Sequence, residues 1–313
     1  MTDAIGGYFG LELRRGEHYH HSALKLNTAR NCFEYILRAR LYDKVYMPCY
    51  TCEVMFQPLD RLGVSYELYH VNEDLEITVL PELKASEAIL YTNYFALKHD
   101  YAQKLAAIYG DRLIIDNAQA FYAPRIEGTD TFYSARKFFG VPDGAYLYTD
   151  CILDEELEQD VSLERTAHLL KRIESGAESG YPDFRKADDS LDNQPIKRMS
   201  LLTEAILMSI DYQEARRCRC ENFKYLESHL ALTNQLNCHA DEDAVPMCYP
   251  YLSSDPDQRG RLIENRIYVP RYWPNEFNDN TGTEQRLQEM LLPLPVDQRL
   301  EESDLVKILN CLK

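Results

Sequence analysis

The chain has 313 residues, with 51 Asp and Glu against 34 Lys and Arg, a formal charge of −17. A content of 45% hydrophobic and 27% charged residues excludes wholesale disorder and is enough for one large domain or two packed ones. The acidic balance argues against a nucleic-acid backbone or an anionic membrane as the main partner.

No segment approaches the ~18 uninterrupted apolar residues of a membrane span. Met1 to Gly7 lacks the basic and apolar stretches of a signal peptide. Nine cysteines, an odd number spread from Cys32 to Cys311, read as reduced thiols of a cytoplasmic protein rather than a disulfide framework. Cys49-x-x-Cys52 and Cys218-x-Cys220 do not combine into a four-ligand set, so no metal site is expected.

In chain order, His18, His20 and His21 around Tyr19 read as a polar N-terminal segment. Asn27 to Ala39 carries Cys32, Phe33, Ile36 and Leu37 on one face, which predicts a helix with Asn27 as its N-cap. Lys44 to Met47 predicts a short strand ended by Pro48, and Glu53 to Leu62 a helix disturbed at Pro58. Strands follow at Ser65–Val71, Ala88–Thr92, Arg112–Asp116, Thr131–Ser134 and Gly144–Thr149, with a helix over Asp100–Tyr109. Short strands alternating with helices imply an α/β architecture, a largely parallel sheet covered on both faces.

Beyond Cys151 the texture changes. Asp154 to Ser175 predicts a long charged helix, Glu178 to Gln194 a loop, Lys197 to Leu232 a second long helix and Glu302 to Leu312 a closing one. This divides the chain into a large sheet domain, 1–190, and a smaller α+β domain, 191–313. The 23 tyrosines read mostly as amphipathic packing at sheet edges and interfaces, and Trp273 as core or pocket wall.

In open α/β sheets ligands collect at the carboxyl ends of strands, and three groups fall there. Asn27-Thr28-Ala29-Arg30 opens a helix, where free amides, the Thr28 hydroxyl and the positive helix end make an anion site or merely a cap. Asp116 follows a buried apolar strand and needs a donor or cation opposite it, or serves as a cap for the next turn. Lys137, 21 residues further on, is flanked by Arg136 and by Phe138 and Phe139. Desolvation and a neighbouring cation there would free the amine for condensation with a carbonyl, against the alternative of a surface lysine at a strand-to-loop junction.

Together these groups resemble the pyridoxal-phosphate enzymes of the aspartate-aminotransferase fold (fold type I), and more narrowly the DegT/DnrJ/EryC1/StrS sugar aminotransferases. Val45-Tyr46-Met47-Pro48-Cys49-Tyr50-Thr51 is similar to that family's strand ending in Pro-Ser-Phe-Thr. Ile115-Asp116-Asn117-Ala118-Gln119-Ala120 is similar to its Glu-Asp-Ala-Ala-Gln-Ala. Lys137 with Gly140 and Asp143-Gly144-Ala145 is similar to its lysine and Gly-Asp-Gly-Gly-Ala. Arg198-Met199-Ser200, Ile267 to Pro274 and Leu292-Pro293-Leu294-Pro295 fit in the same order.

The resemblance implies a three-layer α/β/α large domain and a smaller C-terminal one. It implies a pyridoxal 5'-phosphate cofactor and transfer of an amino group, with glutamate as donor and a keto-sugar nucleotide as acceptor, in a homodimer. Lys137 would hold the cofactor and shuttle the proton, and Asp116 would pair with the ring nitrogen. Gln119 would sit beside the ring or its phenolic oxygen, and Thr28, Ala29 and Ser134 would bind phosphate. The family's serine five residues before the lysine is here Phe132, and its stacking aromatic after the strand-end threonine is Cys52, leaving Tyr50 to stack instead. Ile196, with Asn193 nearby, stands where an asparagine reaches the neighbouring subunit's phosphate, and Arg30 is unusual in the phosphate turn. These departures leave room for a binding or regulatory protein without catalysis. Another reaction at the same cofactor, such as elimination, is the other alternative.

Overall fold

The computed structural model describes residues 5–237, 239–240, 243–274 and 282–313. The chain runs β1 (Leu24–Leu26), α1 (Ala29–Arg40), β2 (Lys44–Pro48), α2 (Gln57–Leu62), β3 (Ser65–Tyr69), β4 (Glu87–Thr92), α3 (His99–Tyr109), β5 (Leu113–Asn117), β6 (Asp130–Ser134) and β7 (Ala145–Tyr148). It continues with α4 (Ala167–Ser175), α5 (Ala177–Asp189), α6 (Leu201–Ser209), α7 (Tyr212–Leu230), β8 (Cys248–Leu252), α8 (Gln258–Glu264), α9 (Thr283–Met290), β9 (Leu291–Pro295) and α10 (Glu302–Leu312).

Seven strands form one sheet in the order β1-β7-β6-β5-β4-β2-β3. The run from β3 to β6 is parallel, and β7 is antiparallel to both β6 and β1. The ends of β1, β2, β4, β5 and β6, and the start of β7, therefore share one edge. Residues of one strand alternate between two cores. Tyr46, Ile89, Tyr91, Ile115, Tyr133 and Tyr146 enter one cluster, whereas Val45, Met47, Ala88, Leu90, Ile114, Phe132 and Leu147 enter the other with Phe33 and Ile36 of α1. A sheet packed on both faces is the three-layer arrangement. β8 and β9 pair antiparallel, with β8 packed on α7, and α10 packs with α7 and α8.

Several expectations need correction. Thr28, not Asn27, caps α1, because its hydroxyl accepts from the Asn31 amide at 3.2 Å. Glu53 to Leu62 divides into a single 3₁₀ turn and α2, with Pro58 in the first helical turn, where its missing N–H costs no bond. Asp154 to Ser162 is not helical. Its backbone bonds instead to Arg198, with Arg198 N donating to Glu158 O at 2.8 Å and Asp160 N donating to Arg198 O at 3.0 Å. The stretch expected as a loop contains α5, and Gly180 makes that packing possible: a Cβ there would meet His168 O at 2.9 Å. The helix expected over Lys197–Leu232 is two, capped separately by Ser200 and Asp211.

Many tyrosines lie in the core rather than at edges; Tyr50, Tyr91, Tyr94, Tyr133, Tyr146 and Tyr249 are fully buried. Of the N-terminal histidines, His21 is exposed but His18 and His20 are buried. His18 Nδ1 meets Tyr146 OH at 2.7 Å, and His20 Nε2 meets Phe121 O at 2.7 Å with its ring 4.1 Å from Tyr133. Burial pushes the His20 imidazole down to about 4.

Candidate active site at the carboxyl edge of the sheet

Asp116 is the penultimate residue of β5, buried, and paired in register with Thr92 and Phe132. One carboxylate oxygen accepts from Ala118 N at 2.7 Å, and the other has no hydrogen-bond partner among the described residues. Burial pushes its carboxyl up to about 6, opposed by the Ala118 amide and the charge of Lys137. A buried acid in this condition is relieved by a cation or N–H placed opposite it.

Gln119 is also buried. Its Oε1 accepts from Phe95 N at 2.9 Å, which steadies a residue held at φ 57°, while its Nε2 is buried without a partner among the described residues. An unmet amide donor and an incompletely bonded carboxylate thus lie three residues apart at one strand end.

The first turn of α1 arrives at the same edge. Asn27 Oδ1 accepts from Thr28 N, Asn31 Nδ2 and Lys197 N, which orients the turn. The Ala29 and Arg30 amides have no acceptor inside the helix and carry its positive end. The Arg30 guanidinium does not add charge to an anion there, because Asp192 and Gln57 hold it. Ser134, at the end of β6, is buried with no hydrogen-bond partner for its hydroxyl among the described residues.

Lys137 lies just beyond, on a turn closed by Phe138 N and Phe139 N donating to Ala135 O. It is exposed, not wrapped by apolar rings as the sequence suggests, and Arg136 is drawn off to Asp188 at 2.8 Å. Its Nζ stands 5.7 Å from the Tyr272 ring centre and 5.8 Å from that of Trp273. Tyr50 is fully buried beneath Trp273, with ring centres 4.8 Å apart, so it offers no open face for stacking. Cys52 is half-buried and packs between both cores. Phe132 points away into the α1-side core. Ile196 is buried in that same core, and Asn193 is exposed at φ 54°.

One support escapes sequence reasoning, and a second, Asp143, takes its role from contacts that only the fold shows. Buried Arg219 donates to Phe138 O, Pro246 O and Met247 O, with its guanidinium 4.5 Å from the Phe138 ring centre. Its spacing from Ala215 and Phe223 puts it on the apolar face of α7, which was the available signal. Buried Asp143 accepts from Ser200 N, Ser200 Oγ and Thr203 Oγ1, tying α6 to the loop after Lys137. Among the described residues, no group of three His, Cys, Asp or Glu is placed to hold a metal, and no helix is long and apolar enough to cross a membrane.

This is the α/β fold of the fold type I aminotransferases. A DegT DnrJ EryC1 StrS aminotransferase from Brucella abortus is similar at a TM-score of 0.63 and 15% identity, over 93% of this chain and 84% of that one. DesV of S. venezuelae is similar at 0.63 and 17%, over 93% and 83%, and the aminotransferase TlmJ of Streptoalloteichus hindustanus at 0.61 and 15%, over 93% and 84%. No protein-family model matches the sequence, and no curated protein matches it. At these identities the likeness is one of fold.

Proposed function

We propose that this chain is a pyridoxal-phosphate-dependent aminotransferase that moves an amino group from glutamate to a keto-sugar nucleotide. The observation that carries the reading is the meeting, at one sheet edge, of the Lys137 amine and the under-bonded Asp116 carboxylate, beside the unpartnered Gln119 amide. The donor set fits the cofactor. Asp116 would hold a protonated ring nitrogen, Gln119 Nε2 would donate to a phenolic oxygen, and the Ala29 and Arg30 amides with the Ser134 hydroxyl would hold a phosphate.

When bound, the cofactor supplies an aldehyde for an amine and a ring that accepts electrons from an adjacent carbon. The chain's own residues do the rest. Lys137 Nζ would hold the cofactor and, when free of it, would take and return a proton. Asp116, ionised, would pair with the ring nitrogen and keep it protonated. The α1 N-terminus would hold the phosphate dianion.

The sugar acceptor is supported by the neighbours' names, among them a sugar aminotransferase of Micromonospora echinospora, and the cofactor by a Streptococcus pneumoniae neighbour solved in its PLP form. Glutamate rests on the family resemblance alone. A homodimer is supported by the exposed apolar side chains Leu163, Leu170, Ile173 and Tyr181 around α4 and α5. The division into 1–190 and 191–313 and a cytoplasmic location belong to the same reading. A spectrum with pyridoxal phosphate, then with glutamate, tests it. A visible band that glutamate bleaches, with 2-oxoglutarate released, supports transamination. A band that no amino acid alters favours the binding protein instead.

A further inference from the structure

We propose that Tyr272 and Trp273 form the aromatic wall against which a planar ring held at Lys137 packs; this rests on the reading of Lys137 as the cofactor lysine. The Lys137 amine makes no ion pair among the described residues and stands over both rings, 5.7 and 5.8 Å from their centres. Aromatic rings pack with centres about 4.5–7 Å apart, so a ring one or two bonds from that nitrogen falls within contact of this pair.

The wall is braced from behind. Trp273 is buried, set edge-on to Tyr50 at 4.8 Å and tilted against Tyr94 at 6.1 Å. Tyr272 lies 5.1 Å from Trp273 and 6.1 Å from Phe95, yet remains half-buried. Cys52 packs against the same cluster with only a thiol, too small to cover a ring.

The approach to the wall is held as well. Glu178 of α5 accepts from Arg266 Nε and from Tyr268 OH, each at 2.6 Å, and Arg259 Nη1 donates to Val269 O and Pro270 O. The two rings therefore serve the resting amine through cation–π attraction and the bound ring through stacking.

The test is a pyridoxal phosphate titration of wild type, Tyr272→Leu and Tyr272→Phe. It is read by visible circular dichroism and by borohydride fixation with peptide mapping. Tyr272→Leu should bind about tenfold more weakly, which is roughly 1.4 kcal/mol, and lose most of the visible dichroic band, with Tyr272→Phe restoring both. Wild-type affinity and dichroism in Tyr272→Leu would overturn the wall while leaving a Lys137 adduct intact. Absence of any Lys137 adduct in the wild type would remove the cofactor reading and the wall together. Should Tyr272→Leu fail to fold, the wild-type protein still decides. Trp273 is its only tryptophan, and saturation should extinguish its emission almost completely, a small loss counting against contact.

Discussion

The backbone amide of Gly144 donates to the carbonyl oxygen of Asn27 across 2.6 Å, joining the loop after Lys137 to the turn that opens α1. Gly144 has φ +113°, and a Cβ there would lie 2.9 Å from Thr203 Cγ2 and 3.4 Å from Met199 Cε. The loop after Lys137 and the turn that opens α1 are thus held in one frame that only glycine permits.

Gly144→Ala should therefore cost about 1–3 kcal/mol in denaturant unfolding and weaken pyridoxal phosphate binding at the same time. Unchanged unfolding midpoint and affinity would show that the frame has slack.

Thr28 and Ser134 should separate cleanly. The Thr28 hydroxyl already caps α1, so Thr28→Ala should lose about 1 kcal/mol of stability. The Ser134 hydroxyl has no hydrogen-bond partner among the described residues, so Ser134→Ala should change stability by less than about 0.5 kcal/mol yet weaken cofactor binding. Thermal melts with and without cofactor read both, and a large melting shift in cofactor-free Ser134→Ala would contradict the assignment.

Two buried groups give the cofactor-free protein opposite pH dependences. Asp116 is pushed up to about 6 from 3.8 by burial, so its charge weighs against the fold as pH rises through that range. Asp116→Asn should then stabilise the cofactor-free protein by about 1–3 kcal/mol above pH 7 and by nothing below pH 4. It should also weaken cofactor binding at least tenfold. A stability gain that did not depend on pH would indicate another cause.

His20 runs the other way. Its imidazole is pushed down to about 4 from 6.5, so the unfolded chain takes up the proton first and stability falls as pH drops below 6.5. Imidazole resonances followed by NMR should show His20 neutral at pH 5. A midpoint near 6.5 would place it in solvent.

Much of this was legible in the sequence, for identifiable reasons. Leu113–Asn117 and Glu87–Thr92 are central strands buried on both faces, so they read as unbroken apolar runs ending where Asp116 begins the site. Asp116, Gln119, Lys137 and Gly144 fall within one 29-residue stretch, so their order is read directly along the chain. Tertiary context decided the rest. Residues 154–162 have helical composition but bond to Arg198, and α5 forms despite its Gly and Pro because Gly180 lets it lie on His168. The burial of His18 and His20 depends on tyrosines 128 residues further along. Likewise, placing Tyr272 and Trp273 over Lys137 needs the whole C-terminal half in position.

The central claim is that Lys137 is the amine that captures the cofactor. Borohydride reduction of the protein with pyridoxal phosphate, followed by peptide mapping, tests it most directly. The account predicts one fixed pyridoxyl group on the peptide carrying Lys137, and none in Lys137→Ala. An undiminished adduct in that variant, or labelling scattered over other lysines in the wild type, would contradict it.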